Sequence, residues 1–361
     1  MTLYELESQP APEPGWSKPV KNELRKHYLL DRWVVYAPGR AKRPADFVVS
    51  RSKAESKICS FCPGNENLTP PAKLFYVLEE NKILKLRDVG EKRRSDWSVR
   101  CIPNLYPAFE STGTARGGKE QGHFPYIKSK AVGVHEIIIE SPDHDGHPHL
   151  ADARQIALWL QAGIDRVGEL NANWTNVALF RNHGREAGAS IAHAHSQIIA
   201  TPLVPSRIDD ERKAMRKFHD ETGHCAICNI SSLEAKTERC IMNGGNFTVI
   251  TPWASIFPFE FWIIPRRHSG TVVDLTLGEV EDLARTIKIS FRALANLLSD
   301  PPYNVIFHMA PWKSHSSFHW HIEVYPKLSV HAGFELGTDM YINTQTAESS
   351  AEALRAAVSG G

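Results

Sequence analysis

His193-Ala194-His195-Ser196-Gln197 and His319-Trp320-His321-Ile322-Glu323 are two versions of one short pattern in a chain of 361 residues. Each closes the same series of features. A CxxC pair comes first (Cys59/Cys62, Cys225/Cys228). An apolar run ending near a histidine follows, then a long helix-like stretch, a strand, and a strand opening on His-x-His. In the first half the apolar run is His135–Glu140, closed by Ser141-Pro142-Asp143-His144. In the second it is Phe261–Ile264, closed by Pro265-Arg266-Arg267-His268. The intervals agree, with 49 residues from His144 to His193 and 51 from His268 to His319. Five features in one order mark an internal duplication. The segment TPLVPS (201–206) is its seam, dividing the chain into halves 1–204 and 205–361.

Between these markers the pattern is mixed α and β. Ala151–Asn171 places Ile156, Leu158, Leu160, Ile164 and Val167 at helical spacing, and a second helix is predicted over Leu277–Leu298, stopped by Asp300-Pro301-Pro302. Strands are predicted at Trp33–Tyr36, Val177–Phe180, Ser196–Ala200, Phe247–Thr251, Asn304–His308 and His319–Tyr325. The segment from the first CxxC to Arg100 reads as long, polar and basic.

Zinc takes four soft or borderline ligands in a tetrahedron. Cys59, Cys62, His144 and His193 supply one such set; Cys225, Cys228, His268 and His319 supply another. A redox CxxC would sit where a strand runs into a helix. Here Pro63-Gly64-Asn65 follows the first pair and a polar stretch the second, so zinc is preferred. Each histidine alone reads more readily as a strand-end residue bonded to a carbonyl; the repetition overturns that and decides for two closed, structural zinc sites per chain.

Alternate residues of a strand share a face, which aligns His193, His195 and Gln197. With His193 on the metal, His195 is a second imidazole held nearby. A neutral imidazole attacks phosphorus well and leaves well once phosphorylated, and Gln197 can donate to a phosphoryl oxygen without adding charge. The other reading, a third ligand or a core histidine, stays open. Gly184, Ala187, Gly188, Ala189 and Ser190 form a small-residue loop of the kind that lets backbone N–H groups approach an anion. With Arg40 and Arg43 it suggests a site for several phosphates, although a solvated basic turn is the usual fate of such arginines. The second half puts Glu323 in place of Gln197 and has no such loop, so covalent chemistry is expected only in the first half.

Lys and Arg number 42 against 41 Asp and Glu, a formal charge of +1. A chain so balanced lacks the basic field of a nucleic-acid binder. No apolar run approaches the ~20 residues of a membrane span. The opening MTLYELESQPAPEPGW has acids and prolines where a signal peptide has basic and apolar residues. A soluble, cytoplasmic protein without nucleic-acid or membrane partners is expected.

Together, Arg40–Pro44, Cys59–Glu66, Pro103-Asn104-Leu105-Tyr106-Pro107, Ser141–His144 and the His193–Gln197 motif resemble the galactose-1-phosphate uridylyltransferase family of the histidine-triad superfamily, from about Leu24 to the C-terminus. The resemblance implies a duplicated α+β histidine-triad-like fold, antiparallel sheets flanked by helices, and a homodimer. It implies ping-pong transfer in which His195 takes the nucleotide from a nucleoside-diphosphate sugar and passes it to phosphate or a sugar 1-phosphate. Gln197 and Ser190 would contact the transferred phosphoryl group, Arg40 and Arg43 the sugar phosphate, and Asn104 and Asn182 the nucleotide. Two departures stand out: Ala194 replaces the usual proline, and the C-terminal Lys and Gln that bind sugar phosphate are not evident around Ala332–Thr338. With the second CxxC, Asp300–Asn304 and Tyr341-Ile342-Asn343, the chain is more similar to the ADP-glucose phosphorylase branch. A uridylyltransferase, a nucleotidyl hydrolase and a non-catalytic nucleotide-binding zinc protein are the competing readings.

Overall fold

The computed structural model describes residues 21–40, 58–80, 82–111, 121–312 and 317–360. Its centre is an eleven-stranded sheet in which every neighbouring pair runs antiparallel. A small sheet joins β1 (Glu23–Lys26), β2 (Trp33–Tyr36) and the late strand β14 (Tyr341–Asn343). The first half contributes β3 (Leu74–Glu79), β4 (Lys82–Leu86), β5 (Val99–Pro103), β6 (Val134–Ile139), β7 (Asn176–His183) and β8 (His195–Thr201), with helix α1 (Ala153–Asn171) between β6 and β7. The second contributes β9 (Cys240–Gly244), β10 (Phe247–Ile250), β11 (Phe261–Pro265), β12 (Tyr303–His308) and β13 (His321–Pro326), with α4 (Leu277–Leu298) between β11 and β12.

Read outward from the middle, the order is β7-β8-β6-β5-β3-β4 on one side and β12-β13-β11-β10-β9 on the other. The predicted duplication is therefore present as mirrored strand order. The two series meet where β7 pairs with β12, Asn182 opposite Asn304 and Phe180 opposite Ile306. On one face α1 and α4 lie over the sheet, and a single apolar core there draws Trp159, Val167 and Leu179 from the first half and Leu283, Phe291 and Val305 from the second. The His-x-His strands present their reactive groups on the opposite face, where His195 and Gln197 lie across from Ile139 and Ile137 of β6.

Both long helices stand where the sequence places them, and the structure shows what fixes their ends. Asp152 caps α1 by accepting the Gln155 N–H at 2.7 Å. Thr276 and Glu279 form a reciprocal capping box on α4, whose last turn runs into Ser299 and Asp300 at φ 57° and 56° before two prolines. Other expectations need correction. The polar, basic segment, for which no strand is predicted, holds β3 and β4 and leads into β5. The seam leads into α2 (Ser206–Thr222), a charged helix with only Glu211 and Met215 buried, and the second CxxC opens a helix, α3 (Ala226–Glu234). The C-terminus adds α5 (Gly333–Thr338) and α6 (Ala347–Ser359). The strands carrying the motifs begin at His195 and His321, so His193 and His319 lie just before them. No described helix is long and apolar enough to cross a membrane.

Candidate active site and metal centres

The four residues predicted as the first metal set meet. Cys62 Sγ lies 3.4 Å from His144 Nδ1 and 3.5 Å from His193 Nδ1, and Cys59 Sγ lies 3.7 Å from His193 Nδ1. All four ligand atoms fall within 4.8 Å of one another. His193 Nε2 is 2.8 Å from the Ser141 carbonyl, which can only accept; that nitrogen carries the hydrogen, and the Nδ1 lone pair faces the sulfurs. The second set repeats the arrangement. Cys228 Sγ is 3.2 Å and Cys225 Sγ 3.5 Å from His319 Nδ1, Cys228 Sγ is 3.8 Å from His268 Nδ1, and His319 Nε2 donates to the Pro265 carbonyl at 3.0 Å. The donor types and the tautomers fit zinc in both places. The surroundings differ: the second set borders an open cavity of about 540 Å³ lined also by His219 and His224, and its His268 is exposed.

His195 is buried, and its Nδ1 lies 2.8 Å from the His193 carbonyl. Nδ1 is therefore the protonated nitrogen, and Nε2 keeps its lone pair with no hydrogen bond among the described residues. Burial pushes this imidazole below the ordinary histidine value despite the favourable carbonyl bond, and nearby Arg181 pushes the same way. Phe61, from inside the first CxxC, stands edge-on to the ring at 5.5 Å. Beneath it, Ser196 donates to Glu140, which Arg181 grips at 3.0 and 3.1 Å; Arg181 also donates to Tyr303 Oη at 2.9 Å. The strand carrying the imidazole thus rests on a paired, fully buried ionic network.

Gln197 shares the His195 face and accepts from His135 Nε2 at 2.8 Å. His135 also receives the Ala108 N–H on Nδ1 at 3.1 Å and stands 3.1 Å from Asn104 Nδ2. Asn182, on the neighbouring strand, accepts from Asn304 Nδ2 at 2.9 Å, and the same amide donates to the Ala187 carbonyl at 2.8 Å. Asn304 thereby ties the small-residue loop to the second half. Gly184 opens that loop at φ 83°, and a Cβ there would lie 2.7 Å from Pro302, so no other residue fits. The loop spends three of its own N–H groups internally: Ala187 and Ala189 donate to the Gly184 carbonyl and Gly188 to Arg185. The anion cradle expected from its backbone is to that extent closed, whereas Ser190 is exposed. Arg40 ends an exposed turn after the small sheet and makes no described contact with the His195 surroundings. Arg43 lies outside the described residues.

One cluster went unread in the sequence. Glu211 of α2, His308 of β12 and His321 of β13 bring ligand atoms within 4.8 Å, all buried. His308 lies 2.9 Å from Glu211 and 3.1 Å from Glu323, and Arg207 reaches Glu323 at 2.7 Å. Burial alone would lower His308, but the two carboxylates outweigh it and raise the imidazole to about 9. Glu211 was invisible because it stands in a helix that reads as solvated.

Comparison with known proteins follows the same lines. Residues 89–205 match the family described as Galactose-1-phosphate uridyl transferase, N-terminal domain, and residues 211–359 its C-terminal domain. An ADP-glucose phosphorylase of Arabidopsis thaliana is 33% identical over 347 residues, 92% of each chain. A galactose-1-phosphate uridylyltransferase of Thermotoga maritima is 30% identical over 345 residues, covering 92% of this chain and 98% of that one. A solved Arabidopsis thaliana ADP-glucose phosphorylase with bound ADP-glucose superposes with a TM-score of 0.76 at 31% identity, covering 93% of this chain and 99% of that one.

Proposed function

Because the chain belongs to the galactose-1-phosphate uridylyltransferase family, we propose that it is a nucleotidyltransferase moving adenylate from an ADP-sugar to inorganic phosphate through a covalent nucleotidyl-His195. The observation that carries this reading is the His195 tautomer. With Nδ1–H held by the His193 carbonyl, the Nε2 lone pair attacks the α-phosphorus, and the bond to the sugar 1-phosphate oxygen breaks with its electron pair. The ring becomes cationic, and the Nδ1–H bond to the carbonyl strengthens as charge develops. A phosphate oxygen then attacks the same phosphorus, and the N–P electrons return to Nε2. Gln197 and Ser190 bind the transferred phosphoryl group, Asn104 and Asn182 the nucleotide, and Arg40 with Arg43 the remaining phosphate.

Zinc is assigned to both Cys2His2 sets, held by Cys59, Cys62, His144 and His193 and by Cys225, Cys228, His268 and His319. A bound ion supplies folding energy and fixes the chain leading into each His-x-His strand. The halves 1–204 and 205–361 are read as the two repeats, and the assembly as a cytoplasmic homodimer.

Phosphate is preferred over a hexose phosphate as acceptor because the C-terminal Lys and Gln that would hold a sugar phosphate are not evident, and Lys327, the residue of that segment best suited to replace them, is engaged elsewhere. Its ammonium lies 4.0 Å over the Phe257 ring, and its backbone N–H donates to Pro302 at 2.7 Å. The relation to the Arabidopsis ADP-glucose phosphorylase points the same way, that to the Thermotoga uridylyltransferase towards UDP-glucose and galactose 1-phosphate. Labelled ADP-glucose with phosphate and UDP-glucose with galactose 1-phosphate, at matched concentrations, decide between them. Faster release of ADP and glucose 1-phosphate is expected; a clear preference for uridylyl exchange overturns the phosphorylase assignment.

A further inference from the structure

His135 is the second residue of β6, two strand positions before Ile137, and nothing in its own sequence neighbourhood marks it as more than a polar strand end. Its surroundings do. The ring nitrogen Nδ1 receives the backbone N–H of Ala108 at 3.1 Å, so it must present a lone pair. A neutral imidazole with a lone pair on Nδ1 carries its hydrogen on Nε2. That hydrogen points at Gln197 Oε1, 2.8 Å away. The carboxamide of Gln197 is thereby held with its oxygen on the imidazole and its N–H2 turned from it, and the N–H2 has no protein partner among the described residues. An Nε2 that bears hydrogen cannot accept from Asn104 Nδ2, 3.1 Å off, so that amide also keeps its donors for a ligand; its own oxygen is taken by the Tyr106 N–H at 2.9 Å.

The point matters because a glutamine amide has two ends of opposite polarity and similar shape. With the N–H2 towards an anionic phosphoryl group, Gln197 stabilises the charge that develops during transfer. With the oxygen there, it repels the same group. On the reading that His195 carries the nucleotide, we infer that His135 is a positioning residue that sets this choice: the Ala108 N–H fixes the imidazole tautomer, and the imidazole fixes the glutamine. The second half shows the site without such a device, since the Gln197 counterpart is a carboxylate whose two ends are alike.

Two substitutions separate positioning from a structural tie. His135→Asn keeps an acceptor near the Ala108 N–H but has no atom at the Nε2 position, whereas His135→Gln places an amide donor there. Single-turnover transfer of labelled nucleotide to protein, at saturating ADP-glucose, should be about tenfold slower in His135→Asn, the value of one lost orienting hydrogen bond. It should recover to within about threefold in His135→Gln, with the half-saturating concentration changed less than the rate in both. The His135→Asn effect should vanish in a Gln197→Ala background, as a cycle of coupled residues requires. Equal slowing by Asn and Gln, an effect that persists without Gln197, or unfolding of both variants would each overturn the inference. His195→Gly is the separate control: nucleotide still accumulating on that protein would instead overturn the nucleotidyl-His195 reading.

Discussion

His195 and His321 hold equivalent places in the two halves, and each directs Nδ1 to the carbonyl of the histidine two residues earlier, at 2.8 and 3.3 Å. What lies beyond Nε2 differs. In the first half that nitrogen has no hydrogen-bond partner among the described residues, and a neutral amide, Gln197, shares its strand face. In the second, Nε2 meets Glu323 at 3.4 Å, and the space is filled by His308, Arg207, Glu211 and the indole of Trp262 at 5.0 Å. One backbone frame therefore serves two ends, and the residue four after the metal-facing histidine decides which. A neutral Gln197 leaves room for an anion, whereas Glu323 recruits cations from the protein itself and closes the pocket.

The sharpest way to break this comparison is to remove both imidazoles in turn. His195→Gly should abolish covalent labelling by ADP-glucose with zinc content unchanged, while His321→Gly, once folded, should still label; labelling lost in both would mean the second half takes part in the chemistry. Making the first half resemble the second comes next. Gln197→Glu should slow nucleotide transfer by about 10²–10³, the usual cost of an oxyanion donor, and leave the melting temperature within a few degrees. A rate close to the parent would show that charge at this position is unimportant.

The metal sets offer a smaller contrast. Metal analysis should approach two zinc per chain, and Cys59→Ser and Cys228→Ser should each remove about one, with a fall in stability of several kcal/mol in each case. A stoichiometry near one would leave the second set without its assigned ion. Smaller still is the order of loss. The second set borders the open cavity and has an exposed His268, so a chelator should strip it a few-fold faster than the first. The reverse order would show that exposure of the ligands does not govern access.

Much of this was legible in sequence because soft metal ligands at fixed spacing carry their own meaning, and because apolar residues at helical spacing, closed by a stop such as Asp300-Pro301-Pro302, announce a helix. Other parts were not. Lys82–Leu86 forms a largely exposed edge strand, so its alternation carries little signal, and Ser206–Thr222 presents charge on nearly every turn. Glu211 and Arg207 carry no signal in the sequence because burial of a charge depends on partners from β12 and β13, which only the fold supplies. His135 was missed for the same reason: one of its partners is a backbone N–H on the chain crossing after β5.

The seam at β7 and β12 has a consequence for how the molecule comes apart. Asn304 bonds both Asn182 and the Ala187 carbonyl, the ladder continues across the seam, and helices of both halves share one core. Opening that junction would bare the unpaired edge of a central strand together with apolar helix surface, so neither repeat has a low-energy state of its own. The duplicated chain is therefore one cooperative unit, and heating or denaturant should melt its two pseudo-symmetric parts in a single transition.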